Sequence, residues 1–268
     1  MTDPDHVADD SDALGEPLVG GLEDGRVFRV GDTVRKPAGP WTETLHALLR
    51  HLQARGFPCP RPLGRDSRGR EMLSFLPGQA SLWPWPTGLL ATDGCRKVGQ
   101  LLRAYHEAVA DFVPPAPAVW RHGPQELRPG EIVLHGDFAP YNLVWQGGEL
   151  TGVIDFELAR PGLALEDAAF AAIRLGPLRP DQALMRIGFP EGPDRRARLA
   201  AFAAGYGCDL ADLVRQIPLT QAAELARITG WGGEGREPWA TFLARGLDES
   251  VRLEGAWMAT HRSEWATA

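Results

Sequence analysis

Residues 132–157 read IVLHGDFAPYNLVWQGGELTGVIDFE. Ile132, Val133 and Leu134 form an apolar lead into the polar turn His135-Gly136-Asp137. Pro140 fixes its own φ and holds the residue before it extended, so Phe138 to Tyr141 reads as a stiff loop. Leu143-Val144-Trp145 and Thr151 to Phe156 are β-rich runs on either side of the turn signal Gly147-Gly148, a pattern that predicts a hairpin. Asn142 and Asp155 lie equally far from the middle of that turn. In a symmetric register they face each other across the two strands, with Cβ atoms about 5 Å apart. Asp137 enters at the same end, five residues before Asn142.

Two side-chain oxygens side by side suit a hard divalent cation. Magnesium commonly takes one or two carboxylates and completes its shell with phosphate oxygens. A further carboxylate, Asp137, then stands ready to accept a proton from a hydroxyl. Together these are the parts of a phosphoryl-transfer site.

The pattern His135-Gly136-Asp137, four residues, Asn142, then Ile154-Asp155-Phe156-Glu157 resembles the catalytic loop and metal motif of the aminoglycoside phosphotransferases and their kinase-like relatives. The resemblance covers roughly residues 17 to 250 and is strongest over 131–170. It implies an α+β, two-lobed protein-kinase-like fold, with a small β-rich N-lobe (17–78) and a larger, mainly helical C-lobe (79–268). It implies transfer of the γ-phosphoryl group of ATP or GTP, with Mg2+, to a hydroxyl of a small molecule such as an antibiotic. Asp137 takes the catalytic position, and Asn142 and Asp155 take the metal positions. Lys36 is placed on the donor phosphates, with Arg35 as the substitute. The backbone of Ser74 and Leu76 is placed at the hinge that reads the purine.

The family pattern also expects a helix glutamate paired with the lysine. In the helix from Glu43 to Arg55, the inward position falls at Leu45 or His46, and the acid present is Glu43 in the first turn. The partner of Lys36 is therefore Glu43, His46 or some other group. Two other classes share the fold: metabolite kinases of the choline or homoserine type, and non-catalytic binding or immunity proteins.

Bulk properties narrow the choice. The 268 residues are 44% apolar, enough for two lobes and a cleft. No apolar run approaches the roughly 18 residues of a membrane span. The acidic N-terminus lacks the basic start and apolar core of a signal peptide. Cys59, Cys95 and Cys208 are scattered and odd in number, which argues against a disulfide framework or zinc cluster and points to the cytoplasm. Residues 1–16 carry six acids and no Lys or Arg, so the net charge of −7 falls to −1 without them. That tail reads as disordered, and the near-neutral body gives no footprint for nucleic acid. A monomer or weak dimer acting on a small molecule is the expectation.

Of 28 basic residues only Lys36 and Lys97 are lysine, which makes a lysine at a motif position more conspicuous. Gly20-Gly21 and Asp24-Gly25 mark turns over the expected nucleotide, but they do not form GxGxxG. Helices are expected over Asp93–Asp111, Ala168–Leu175, Asp194–Gly205, Asp209–Gln216, Thr220–Thr229 and Trp239–Leu253. His106 and the pair Trp231 and Trp239 read as packing residues, and His135 as a backbone-bonding support. Asp167 reads as a support of the loop or as a helix-start acid. Residues 176–250 hold ten acids and nine arginines, a balance that weakens the case for a polycationic acceptor.

Overall fold

A computed structural model of the chain describes residues 15–18, 25–80, 83–189 and 191–266. The tail up to residue 14 and the turn Gly20-Gly21 lie outside the described residues.

The first part is an antiparallel sheet with a helix on it. Its strands are β1 (Glu16–Pro17), β2 (Phe28–Val30) and β3 (Thr33–Lys36), then β4 (Pro62–Arg65) and β5 (Glu71–Ser74) after helix α1 (Thr42–Ala54). Their spatial order is β1-β2-β3-β5-β4. The leucine stripe of α1 does what its spacing predicts: Leu45, Leu48, Leu49 and Leu52 are all buried, each worth about 2 kcal/mol in water-to-core transfer. Trp41 rather than Thr42 precedes the helix, and Thr42 instead accepts from the Gly39 amide at 2.9 Å.

The second part is mainly helical: α2 (Thr87–Leu90), α3 (Thr92–Val109), α4 (Ala164–Leu175), α5 (Asp181–Leu184), α6 (Arg195–Tyr206), α7 (Leu210–Gly233), α8 (Trp239–Ala244), α9 (Leu247–Thr260) and α10 (Arg262–Trp265). Between α3 and α4 lie two small ribbons. Strand β6 (Ile132–Leu134) pairs with β9 (Arg160–Gly162), and β7 (Leu143–Gln146) pairs with β8 (Glu149–Val153). Val98, Leu102, Tyr105 and Val109 of α3 are buried, and Tyr105 donates to the Val133 carbonyl at 3.1 Å, anchoring β6 to the helix layer.

Three expectations are corrected. The helices over 209–216 and 220–229 are one helix, α7, with Pro218 inside it. Proline removes one amide but does not end a helix whose flanking turns are held by buried Leu213, Ile217 and Ile228. The helix over 239–253 is two, divided at Gly246, whose φ of 72° is left-handed and ends the first. The hairpin 143–153 is present, but its register is not symmetric. Val144 pairs with Gly152 and Trp145 with Leu150, which leaves Thr151 as a bulge. Asn142 therefore lies opposite Ile154, whose amide donates to the Asn142 carbonyl at 2.9 Å, and not opposite Asp155. The three cysteines are free thiols, and no helix of the described residues is long and apolar enough to cross a membrane.

Candidate active site

The loop between β6 and β7 is held from below by one carboxylate. Asp167, in the first turn of α4, accepts from the His135 amide at 2.7 Å and the Gly136 amide at 3.0 Å. His106 on α3 reaches the same carboxylate at 3.3 Å and Tyr206 at 2.9 Å, so it packs and positions. Burial would raise Asp167, but these donors outweigh it and hold it below the usual carboxylate range. Asp167 is thus both a helix-start acid and the support of the loop.

Gly136 has a φ of 79°, and a Cβ there would lie 2.0 Å from the Leu158 carbonyl oxygen. The turn therefore needs glycine twice over, for its dihedral and for its space. The buried His135 ring donates to the Ile154 carbonyl at 3.1 Å and accepts from the Asp137 amide at 3.3 Å. Burial pushes its pKa down to about 4, so it stays neutral in this backbone-bonding role.

Around that frame the functional side chains gather. Asn142 closes a short turn, Pro140–Asn142, and its amide nitrogen donates to both the Asp137 carbonyl and Asp137 Oδ2, each at 2.9 Å. The Asn142 side-chain oxygen is thereby turned away from Asp137. Tyr141 donates its hydroxyl to Asp137 Oδ1 at 2.6 Å. Burial raises the Asp137 pKa to about 7, the Tyr141 hydrogen bond opposes it, and the nearby charge of Asp155 adds to it. Asp155 stands just past β8 at φ 63°, the one non-glycine residue with positive φ among the described residues. Such backbone strain persists where surrounding structure enforces it, and it concentrates at functional sites.

Lys36, at the end of β3, joins the two parts of the molecule. Its ammonium lies 2.9 Å from Glu157, 3.5 Å from Asp155 and 3.6 Å from Glu71. Burial alone would lower its pKa, but the three carboxylates outweigh that and hold it well above its ordinary value. Arg35 points to the opposite face of the sheet, where it is buried and two of its nitrogens lack a hydrogen-bond partner.

The acid for Lys36 on the small-lobe side comes from a strand. Glu71 is the cross-strand neighbour of Lys36 on β5. His46, on the inward face of α1, holds the other Glu71 oxygen at 2.9 Å. Glu43 points outward and lies 3.6 Å from Arg65. On the far side Glu157 is shared with Arg121, whose guanidinium also rests over the Trp41 ring at 4.7 Å.

Ser74 and Leu76 behave differently from one another. The Ser74 amide donates to the Arg61 carbonyl and its hydroxyl accepts from the Arg61 amide, at 2.9 and 2.8 Å, so Ser74 is spent on the sheet. The Leu76 amide has no such partner among the described residues. Both line a cavity of about 550 Å³ with Arg29 and Phe75. Trp231 and Trp239 pack on each other and on His122, with ring centroids 4.7 to 5.7 Å apart.

Glu71, Tyr141 and Arg121 escape the sequence reading, and Glu157 enters it only as the last residue of the motif, with no role assigned. Tyr141 carried a signal, since it lies in the loop four residues after Asp137. Glu71 carried none without knowledge of the strand pairing.

The donor set can be tested against a metal. No group of three or more His, Cys, Asp or Glu side chains able to hold a metal occurs among the described residues. The chemistry of Asn142 and Asp155, one amide oxygen and one carboxylate, would leave the remaining positions to phosphate and water, which fits magnesium.

Comparisons with known proteins bear on the family and the fold. The model of the "Phosphotransferase enzyme family" matches residues 114–207, a span that contains the whole loop and hairpin. The chain is 35% identical over 251 residues to the trifolitoxin immunity protein of Rhizobium leguminosarum bv. trifolii, covering 88% of this chain and 92% of that protein. It is 31% identical over 174 residues to the homoserine kinase of Granulibacter bethesdensis, covering 49% and 52%. The chain thus spans about half the length of that homoserine kinase. Amicoumacin kinase hAmiN, solved with AMP-PNP, Ca2+ and Ami, shares the fold at a TM-score of 0.57 and 12% identity, over 85% of this chain and 86% of that one.

Proposed function

Because the chain belongs to the phosphotransferase enzyme family, we propose that it moves the γ-phosphoryl group of ATP or GTP onto a hydroxyl of a small molecule. The observation that carries this reading is one connected set of groups. Lys36 touches Asp155, Asp155 acts on Asp137 through its charge, and Asp137 is hydrogen-bonded to Asn142. A purely structural turn has no need of a strained aspartate, a turned-out amide and a buried lysine at one spot.

Each residue has a task in the reaction. Asp137 receives and orients the acceptor hydroxyl. Its pKa of about 7 keeps it able to exchange a proton near neutral pH. Tyr141 fixes the rotamer of Asp137, and Asn142 locks its second oxygen. Lys36 neutralises the donor phosphates. Asn142 and Asp155 would hold magnesium, which supplies charge compensation between the donor phosphates. An alcohol is hard to deprotonate, so positioning and charge stabilisation carry most of the rate. The Leu76 amide, without a backbone partner among the described residues, is assigned to the purine, and residues 17–78 and 79–268 act as the two lobes.

The test is a phosphotransfer screen over aminoglycosides, nucleoside antibiotics, amino alcohols and hydroxy acids, with ATP and GTP and with Asp137→Ala as control. Turnover by the native chain that disappears in Asp137→Ala supports the proposal. A second reading, a binding or immunity protein that keeps the fold without turnover, draws on the full-length similarity to the trifolitoxin immunity protein. It predicts nucleotide binding with no phosphorylated product in any member of the panel.

A further inference from the structure

A cavity of about 350 Å³ opens between α4, α7 and the loop that carries Asp137. Its charged lining is Arg160 from β9, Arg227 from α7 and the acids Glu166 and Asp167 from α4, and Gly136 also lines it. The acids near Arg227 are already engaged. Glu166 accepts from Arg160 at 3.0 Å and from the Leu163 amide at 3.3 Å. Asp167 holds the catalytic loop. Glu224, one turn before Arg227 on α7, is taken by Arg174. No carboxylate of the described residues comes within 4.0 Å of the partly buried Arg227 guanidinium.

That is an expensive arrangement unless something else supplies the counter-charge. A guanidinium cannot shed its proton, and drawing it partly out of water without an adjacent anion is unfavourable. Arg160 acts on Arg227 as a like charge, and Glu224 and Glu166 offset it only from beyond ion-pair distance. The cavity's remaining walls mix the polar Gln216 and Thr220 with apolar side chains. Leu163 and Leu219 stand 53% and 64% exposed at its rim, and Phe170 lies deeper. Exposed leucines beside an arginine with no carboxylate of the described residues in ion-pair reach suit a ligand with an anionic head and a short apolar flank.

We infer that this cavity binds a small anionic molecule, its carboxylate or phosphate held by Arg160 and Arg227. The size is right for a metabolite and too small for a macromolecule. Gly136 is joined directly to Asp137, so an anionic ligand that also carries a hydroxyl is placed beside the catalytic loop and becomes the phosphoryl acceptor. In that last form the inference rests on the phosphotransferase reading. The anion site itself does not.

Calorimetric titration of the full chain tests it with three probes: homoserine for a carboxylate, glycerol 3-phosphate for a phosphate, and 1,2-propanediol as the uncharged control. The native protein should bind at least one of the two anions and not the diol, and which anion binds tells carboxylate from phosphate. Arg227→Met should weaken that binding about tenfold to a hundredfold, the range of one charge-assisted hydrogen bond. Arg227→Lys should recover part of it. Arg227→Met should melt no lower than the native protein, since it removes an unpaired charge, and Arg227→Lys with Arg160→Met decides the matter if it does not fold. Binding of neither anion, or affinity unchanged by loss of Arg227, overturns the inference. Anion binding with no phosphoryl transfer to any acceptor sinks the kinase reading and leaves the site. Phosphorylation of uncharged alcohols at a rate indifferent to Arg227→Met leaves the kinase reading and overturns the acceptor role of this site.

Discussion

Glu71→Gln is the substitution that bears most directly on the donor side of the site. It removes one charge and almost no volume, and the amide can still meet His46. In the native protein Glu71 lies 3.6 Å from the Lys36 ammonium, and both are buried. At an effective dielectric of about 20, that separation corresponds to an attraction of about 5 kcal/mol before desolvation is counted. Losing Glu71 also relieves the cost of burying it, and Lys36 keeps Glu157 at 2.9 Å and Asp155 at 3.5 Å. What remains is about 1–3 kcal/mol of positioning, because the lysine is then drawn toward the large lobe and away from the donor phosphates. The expected result is a KM for the magnesium nucleotide raised about tenfold to a hundredfold, with the acceptor KM unchanged and the protein still folded. Steady-state kinetics with each substrate varied in turn, together with nucleotide titration, make the measurement. His46→Ala should give the same split at smaller amplitude, since it frees Glu71 to turn. A Glu71→Gln enzyme that binds nucleotide as the native one does would show that Lys36 is placed by the large lobe alone, and the assignment of Glu71 would be wrong.

Asp137→Asn should lower turnover by about 10²–10⁴-fold while nucleotide affinity stays within about twofold, as measured by single-turnover phosphotransfer and nucleotide titration. Gly136→Ala should cost more than about 3 kcal/mol or prevent folding, because the added methyl would collide with the Leu158 carbonyl in a turn whose two successive amides are held by Asp167; chemical denaturation reads the loss. His122 is held neutral by burial and by Arg160, Arg227 and Arg121, its pKa lowered from 6.5 to about 3. Its folded-state pKa lies below the unfolded one, so the stability tied to the neutral ring is complete above about pH 6.5 and is lost as pH falls toward 3. Melting temperatures from pH 8 to 5 should therefore decline less steeply in His122→Phe than in the native chain.

Which of these features the sequence could announce depends on how far along the chain each contact reaches. Asp137, Asn142 and Asp155 fall within one hairpin and its entry loop, so spacing alone brings them together. Even there the symmetric register fails, because a bulge at Thr151 costs nothing that composition reveals and moves every later pairing by one. The partner of Lys36 is further out of reach. It depends on β5 lying beside β3, a choice made by tertiary packing and not by either strand. His46 was visible at the inward position of α1, but its task is to hold another residue, which no helical spacing encodes. Pro218 illustrates the opposite failure. A strong local breaker was overruled by the buried stripe on either side of it.

The ammonium of Lys36 is bonded to one acid of its own lobe and to two of the other. The two lobes are in this sense stitched together by charge, shielded from salt by its burial. Under the proposed phosphotransfer, a triphosphate would trade places with Glu157 and Asp155, its own negative charge replacing theirs in the seam, and the grip between the lobes would pass through the nucleotide. A mononucleoside without that charge has nothing to exchange and should find the seam closed.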